Sequence, residues 1–289
     1  MRRGTTHNMV YFLIPALALL VFVFAVPLVS LVYYSFASWQ GIDARLPLSV
    51  NNYAALAEDP QVLWSLVRTL FLAGATIPGT VIISVVVAHF LYEKVFGWQF
   101  YLVVFFIPII LPIVVIGVVF THYYASSGML NQILGFLGLG MFTRLWLTDL
   151  KTALLSLVVA AVWWEVAFAT ILFYARMMNI SPSLYEAAKV DGATERKLIF
   201  HITLPELRAV IQFYVVLAII YYLNQSFTYV FVMTQGGPGW ATTTIDFFIY
   251  LNAFKYMRLG IASALSLLLS VVILLLVQAY LAISKEEET

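Results

Sequence analysis

The chain has 289 residues, 63% of them hydrophobic and only 10% charged, where an ordinary soluble domain carries roughly a quarter charged. A net charge of +1 offers nothing to nucleic acid, and the absence of cysteine excludes disulfides, thiolate metal sites and cysteine nucleophiles. With a mean hydropathy of +0.97, most of the surface must face something other than water. The four histidines (His7, His89, His122, His201) include no two at a metal-ligand spacing, and no Gly-x-x-x-x-Gly-Lys phosphate loop occurs. If ATP drives this protein, another subunit hydrolyses it.

About 20 apolar residues cross the hydrocarbon core of a bilayer as a helix. Six stretches reach that length: 9–36, 69–92, 99–124, 152–175, 209–234 and 259–284. The first follows Arg2 and Arg3 as a secretory signal would. Its 28 residues, Pro15, Pro27 and lack of a clear small-residue cleavage site read instead as a retained span. Outer loops are expected at 37–68 and 125–151. Pro78, Pro108 and Pro112 predict kinks, while His89 and His122 fall near span ends, where an interfacial position accounts for them.

Glu165 is the one carboxylate well inside an expected span, directly after Trp163 and Trp164. A charge at that depth is costly and marks either a functional site or a hydrogen bond to a neighbouring helix. Indole faces stack on sugar rings and a carboxylate accepts hydroxyl protons. Successive residues on a helix point about 100° apart, so at most one of the tryptophans can share Glu165's side of a pathway.

A polar segment, 178–206, follows the fourth span. Ser181 is placed to cap a helix that Pro182 starts. Leu184, Ala187, Ala188 and Asp191 share one face of it, low enough for another protein to approach closely. Gly192 is suited to the left-handed residue that ends it. A second short helix is expected over 196–201, with Pro205 opening the fifth span. Within that span Tyr221–Ser226 forms a polar patch expected at mid-membrane. Tyr222, Asn224 and Gln225 there offer donors and acceptors for vicinal hydroxyls, or for interhelical hydrogen bonds. Gly236-Gly237-Pro238 predicts a tight turn, and 247–254 a short helix at the membrane surface or folded back into it.

Two motifs carry a resemblance. Glu186-Ala187-Ala188, Asp191-Gly192-Ala193 and Ile202-Thr203-Leu204-Pro205 resemble the coupling loop of ABC-importer permeases. Met233-Thr234-Gln235-Gly236-Gly237-Pro238, followed by Thr242–Thr244, is similar to the carbohydrate-uptake (maltose-type) branch. Asn51-Asn52-Tyr53, Gly128-Met129-Leu130-Asn131, Gly260 and Ala262-Ser263-Ala264 extend the likeness over nearly the whole chain. The resemblance implies an all-α integral membrane protein, one permease domain over 1–289. It has six transmembrane helices and a cytoplasmic coupling-helix loop between helices 4 and 5. It implies a second homologous permease, two cytosolic ATPase subunits, an extracytoplasmic sugar-binding protein and a sugar substrate, with no cofactor. Glu186, Ala187, Ala188, Asp191, Gly192 and Ala193 would couple to the ATPases. Trp163, Trp164, Glu165, Tyr222, Asn224 and Gln225 would line the substrate pathway.

Six spans put both termini on one side. With the termini in the cytoplasm, nine basic residues lie inside (Arg2, Arg3, Lys94, Arg176, Lys189, Arg196, Lys197, Arg208, Lys285) and six outside (Arg45, Arg68, Arg144, Lys151, Lys255, Arg258). A bacterial or archaeal plasma membrane is the expected location. Two rival readings are a glycerol-phosphate importer of the same branch and an ion-coupled transporter that uses Glu165 as its proton or sodium site. A phosphate dianion calls for arginine or lysine, and no span interior holds either. A membrane-embedded hydrolase finds no Ser/His/Asp or metal constellation.

Overall fold

The structure, a computed structural model, describes residues 5–40 and 47–286. Arg2, Arg3 and Arg45 of the basic-residue count lie outside them. Among the described residues the regular structure is helical, save one isolated antiparallel bridge between Ala37 and Leu48. In chain order the helices are α1 (Thr5–Leu20), α2 (Val26–Phe36), α3 (Asn51–Glu58), α4 (Pro60–Tyr92), α5 (Trp98–Ile110), α6 (Ile113–Tyr123) and α7 (Met129–Phe136). They continue as α8 (Ala153–Met177), α9 (Pro182–Val190), α10 (Glu195–Leu198), α11 (Leu204–Gln225), α12 (Phe227–Met233), α13 (Ile245–Tyr250) and α14 (Leu259–Glu286). Five stretches are long and apolar enough to cross a membrane: Leu13–Phe36, Pro60–Tyr92, Ala153–Met177, Glu195–Gln225 and Leu259–Ser284. The α5–α6 pair makes a sixth if taken as one span.

Three expected boundaries move. The second span starts nine residues early, at Pro60 in place of 69, so Arg68 lies within a helix and not in the outer loop. Its start signal is Asp59-Pro60: the Asp59 carboxylate accepts the Gln61 N–H at 2.8 Å, and proline suits the first turn. The third span, expected continuous over 99–124, is bent by 104° between α5 and α6. Pro112 forces the residue before it out of the helical region, and Leu111 is extended at φ −82°, ψ 132°. The fifth, expected over 209–234, is helical from Glu195, passing through a π-turn at Ile199–Thr203 that absorbs the missing N–H of Pro205. It stops at Gln225, so Asn224 and Gln225 stand at a helix end and not at mid-span.

The chain divides into two compact units: Met1–Leu63 with Phe248–Val272, and Trp64–Phe247 with Ile273–Thr289. In the first, Asn52 closes the C-terminal end of α2. Its amide donates to the carbonyls of Ser35 and Ala37, both at 2.9 Å, and Tyr53 donates to Ser35 Oγ at 2.8 Å. The Gly260 N–H bonds Trp39 O at 3.1 Å, and a Cβ on Gly260 would meet the Asn52 amide at 2.8 Å. The sequence landmarks Asn51-Asn52-Tyr53 and Gly260 thus belong to one knot of backbone.

The second unit is built on α8. Ala153, Ala160, Ala161, Ala167 and Ala169 are fully enclosed, which lets neighbouring helices approach closely. A stripe of small side chains on α4 (Thr69, Ala73, Thr76, Thr80, Ser84) is likewise buried, and Ser84 Oγ donates to Val166 O at 3.2 Å. The chain on either side of the α5–α6 pair lies near opposite ends of α8. Tyr92 and Lys94, just before α5, line a groove with Met178 and Tyr185, past the end of α8. Tyr124, just after α6, packs on Trp146, whose carbonyl accepts Thr152 Oγ1 at the start of α8. The helix α8, of 25 residues, is about 37 Å long, and the segment from Lys94 to Tyr124 has its two ends near opposite ends of it.

Candidate substrate cavity and docking loop

A cavity of about 420 Å³ lies between α5, α8 and α11, lined by Ile109, Trp164, Glu165, Phe168, Tyr214, Leu217, Ala218, Ile220, Tyr221, Asn224 and Gln225. The α11 contribution is one helical stripe, with Tyr214, Ala218, Tyr221 and Gln225 spaced by four, three and four residues. Glu165 is 6% exposed and accepts a hydrogen bond from the Tyr214 hydroxyl at 3.2 Å. The rings of Trp164 and Tyr221 lie nearly parallel at 22°, centroids 6.1 Å apart. The break between α5 and α6 frees the Leu111 carbonyl, and the Trp164 indole N–H donates to it at 3.3 Å.

Four of the six expected pathway residues (Trp164, Glu165, Asn224, Gln225) share this cavity, and two do not. Trp163 points away: it is 43% exposed and meets Phe120 edge-on at 5.6 Å. Tyr222 is fully buried on another face of α11, and its neighbour Tyr221 occupies the cavity wall instead. Consecutive residues diverge by about 100°, and the packing of α11 on α8 selects Tyr221. Tyr214 escaped the sequence reading, although it sits two turns before Tyr221 on the same face.

The loop after α8 is an exposed helix on a fixed base. Pro182 starts α9 as expected, but Ser181 does not cap it; its hydroxyl pairs with Ser183 Oγ at 2.8 Å. Tyr185 is the buried anchor of α9, bonded through its hydroxyl to Thr203 Oγ1 at 3.0 Å. Burial pushes its phenol above the usual range, with Glu93 and Glu206 adding to the effect against the Thr203 hydrogen bond. Leu184, Glu186, Ala187 and Asp191 are exposed, Ala188 and Ala193 half-buried. Gly192 is left-handed at φ +76°. The Ala193 N–H bonds Ala188 O at 2.9 Å and the Gly192 N–H bonds Lys189 O at 3.1 Å, the paired closure of a Schellman end. At the loop's base, Arg176 of α8 clasps the carboxylate of Glu206 and donates from Nε to its carbonyl at 3.1 Å. Ligand atoms of His89, Glu93 and Glu195 also lie within 4.8 Å of one another, with Lys189 3.8 Å from Glu195.

The Gly-Gly-Pro segment reverses the chain between α12 and α13. Gly236 is left-handed at φ +85°, and a Cβ there would stand 2.6 Å from Thr243 Oγ1. Thr242 and Thr243 donate to the carbonyls of Gly237 and Gly236 at 2.7 and 3.1 Å. Asp246 then takes hydrogen bonds from Ser226 Oγ, Thr244 Oγ1 and the N–H groups of Phe227 and Phe247. Burial pushes its carboxyl above the usual range, against the downward pull of those four donors. Asp246 thereby caps α12 where Ser226 interrupts the helix.

The sequence profile described as "Binding-protein-dependent transport system inner membrane component" matches residues 53–285, four-fifths of the chain. The chain belongs to that family. Relatives of this inner membrane component extend the match to nearly its whole length. "Probable ABC transporter permease protein YurN" of Bacillus subtilis is 32% identical over 286 residues, 96% of each chain. "Sulfoquinovosyl glycerol transport system permease protein SmoG" of Agrobacterium fabrum is 30% identical, over 96% of this chain and 91% of its own. "Diacetylchitobiose uptake system permease protein NgcF" of Streptomyces coelicolor is 30% identical, over 94% and 82%. Among solved structures, a chain of a bacterial ABC transporter involved in the import of the acidic polysaccharide alginate shares the fold. The TM-score is 0.81 at 22% identity, covering 96% of this chain and 95% of that one. The family is thus one of transport components and not of classical enzymes.

Proposed function

We propose that this inner membrane component is one permease subunit of an ATP-driven, binding-protein-dependent sugar importer. It acts as a single permease domain, with ATP hydrolysis left to other subunits. The observation that carries the reading is an economy of elements. Two of the three helices that wall the cavity, α8 and α11, are joined by the segment that carries the exposed helix α9, and Arg176–Glu206 ties their ends together. A displacement of α9 by a docked ATPase is delivered to the cavity walls through the loop's own chain and the Arg176–Glu206 pair. Glu186, Ala187, Ala188, Asp191, Gly192 and Ala193 form the docking surface, so the loop and both termini are cytoplasmic. A homologous permease completes the pathway, two ATPases sit beneath, and an external sugar-binding protein delivers substrate.

The sugar reading rests on the cavity's chemistry and on relatives named for the transport of diacetylchitobiose and sulfoquinovosyl glycerol. Trp164 and Tyr221 present ring faces to a pyranose, Asn224 and Gln225 exchange amide hydrogen bonds for those lost to water, and Glu165 accepts a proton donor. No basic residue lines the cavity, which disfavours a phosphate ester. The test is uptake by the assembled importer in proteoliposomes. Asn224→Ala or Gln225→Ala should reduce uptake about five- to hundredfold, the range set by one unmade buried hydrogen bond, with basal ATPase activity intact. Unchanged uptake in both variants rejects the pathway assignment. Uptake that persists without ATP and collapses with the membrane potential favours the ion-coupled reading.

A further inference from the structure

We infer that the sugar passing Glu165 carries a cationic amino group. This rests on the pathway reading above and adds the substrate's charge. Among the described residues Glu165 accepts one hydrogen bond, from Tyr214, and no lysine or arginine is among the residues that line its cavity. Along the wall helices none occurs in 98–123, 153–175 or 209–225 either. Arg176, at the far end of α8, is engaged with Glu206, and Arg208, before the α11 wall, donates to Ser284 O at 3.2 Å. A carboxylate held away from water stays ionised only beside a cation, and this one has no candidate within its own subunit's cavity.

The remaining walls suit a cation as well as a sugar ring. Trp164, Phe168, Tyr214 and Tyr221 line the same space, and the electron-rich faces of aromatic rings attract an ammonium group most strongly where water is excluded. At about 420 Å³ the cavity is within the range of small-molecule sites. A neutral sugar offers Glu165 no counter-charge, and an acidic sugar would be repelled by its ionised form. An amino sugar places its ammonium on Glu165, its ring against Trp164 and Tyr221, and its hydroxyls on Asn224 and Gln225.

The test compares one disaccharide skeleton in two charge states. The importer complex, in lipid nanodiscs and without binding protein so that only the permease site is read, is titrated at pH 7 by tryptophan fluorescence. The probes are the β-1,4-linked glucosamine dimer and its N,N′-diacetyl form. The amine should bind about tenfold tighter or more, the scale of a desolvated cation contact. Glu165→Gln should abolish that preference, weakening the amine's binding by more than the acetylated dimer's, and Glu165→Asp, which keeps the charge, should retain it. Equal affinity for both dimers, or an amine preference that survives in Glu165→Gln, overturns the inference and leaves the pathway reading standing. Binding of neither dimer overturns both.

Discussion

Two left-handed glycines are required for different reasons, and their substitutions should fail differently. A Cβ at Gly192 would meet nothing within 4 Å, so only its φ of +76° restricts the residue. Asparagine tolerates that region, whereas a β-branched side chain there is an outlier. Gly192→Asn should therefore transport near the native rate. Gly192→Val should lose transport and ATPase attachment while the chain still inserts, as uptake and co-purification would register. Retained transport in Gly192→Val rejects the docking assignment. Gly236 is constrained twice, by φ +85° and by Thr243 Oγ1 and the Phe247 ring, 2.6 and 2.8 Å from a would-be Cβ. Even Gly236→Ala should destabilise by about 1–3 kcal/mol, and asparagine should not rescue it. A thermal unfolding midpoint equal to the native value would show the turn relaxing freely.

At the scale of single helices, α8 turns one sequence word, Trp163-Trp164-Glu165, into two environments. Trp164 faces the cavity and Trp163 an adjoining surface, against Phe120. Trp164→Ala should cut sugar uptake about tenfold or more, since it removes a buried ring and leaves the Leu111 carbonyl short of a donor. Trp163→Ala should stay within about twofold, the usual reach of a surface change. Comparable losses in both variants would mean the site lies elsewhere. This division also marks how far the sequence is legible. Glu165, Gly192 and Asn224 declare themselves because a charge, a left-handed turn and a polar pair are costly or special in an apolar helix. Helical phase does not declare itself: α11 is apolar nearly all round, so choosing Tyr221 over Tyr222 requires the partner helix. The break at Pro112 was visible as a proline but not as a 104° turn, because α6 finds its direction only by packing on α8 and α12.

Across the whole molecule the number of crossings depends on that break. If α5 and α6 form one traversal, the chain crosses six times and both termini share a side. If they dip in and return, it crosses five times and the termini part. The geometry favours traversal, since Lys94 stands in a groove with Met178 and Tyr185 while Tyr124 packs on Trp146 at the other end of α8. The absence of native cysteine makes a direct measurement possible, because every thiol in the protein would be one that was introduced. Lys94, Ser127 and Ala187 are exposed positions before α5, after α6 and on α9. Lys94→Cys and Ala187→Cys should resist a membrane-impermeant maleimide in intact cells and react in inside-out vesicles, with Ser127→Cys doing the reverse. Labelling of Lys94→Cys from the same side as Ser127→Cys would make the bent pair re-entrant. Labelling of Ala187→Cys from outside would put the α9 surface beyond the reach of any cytosolic ATPase.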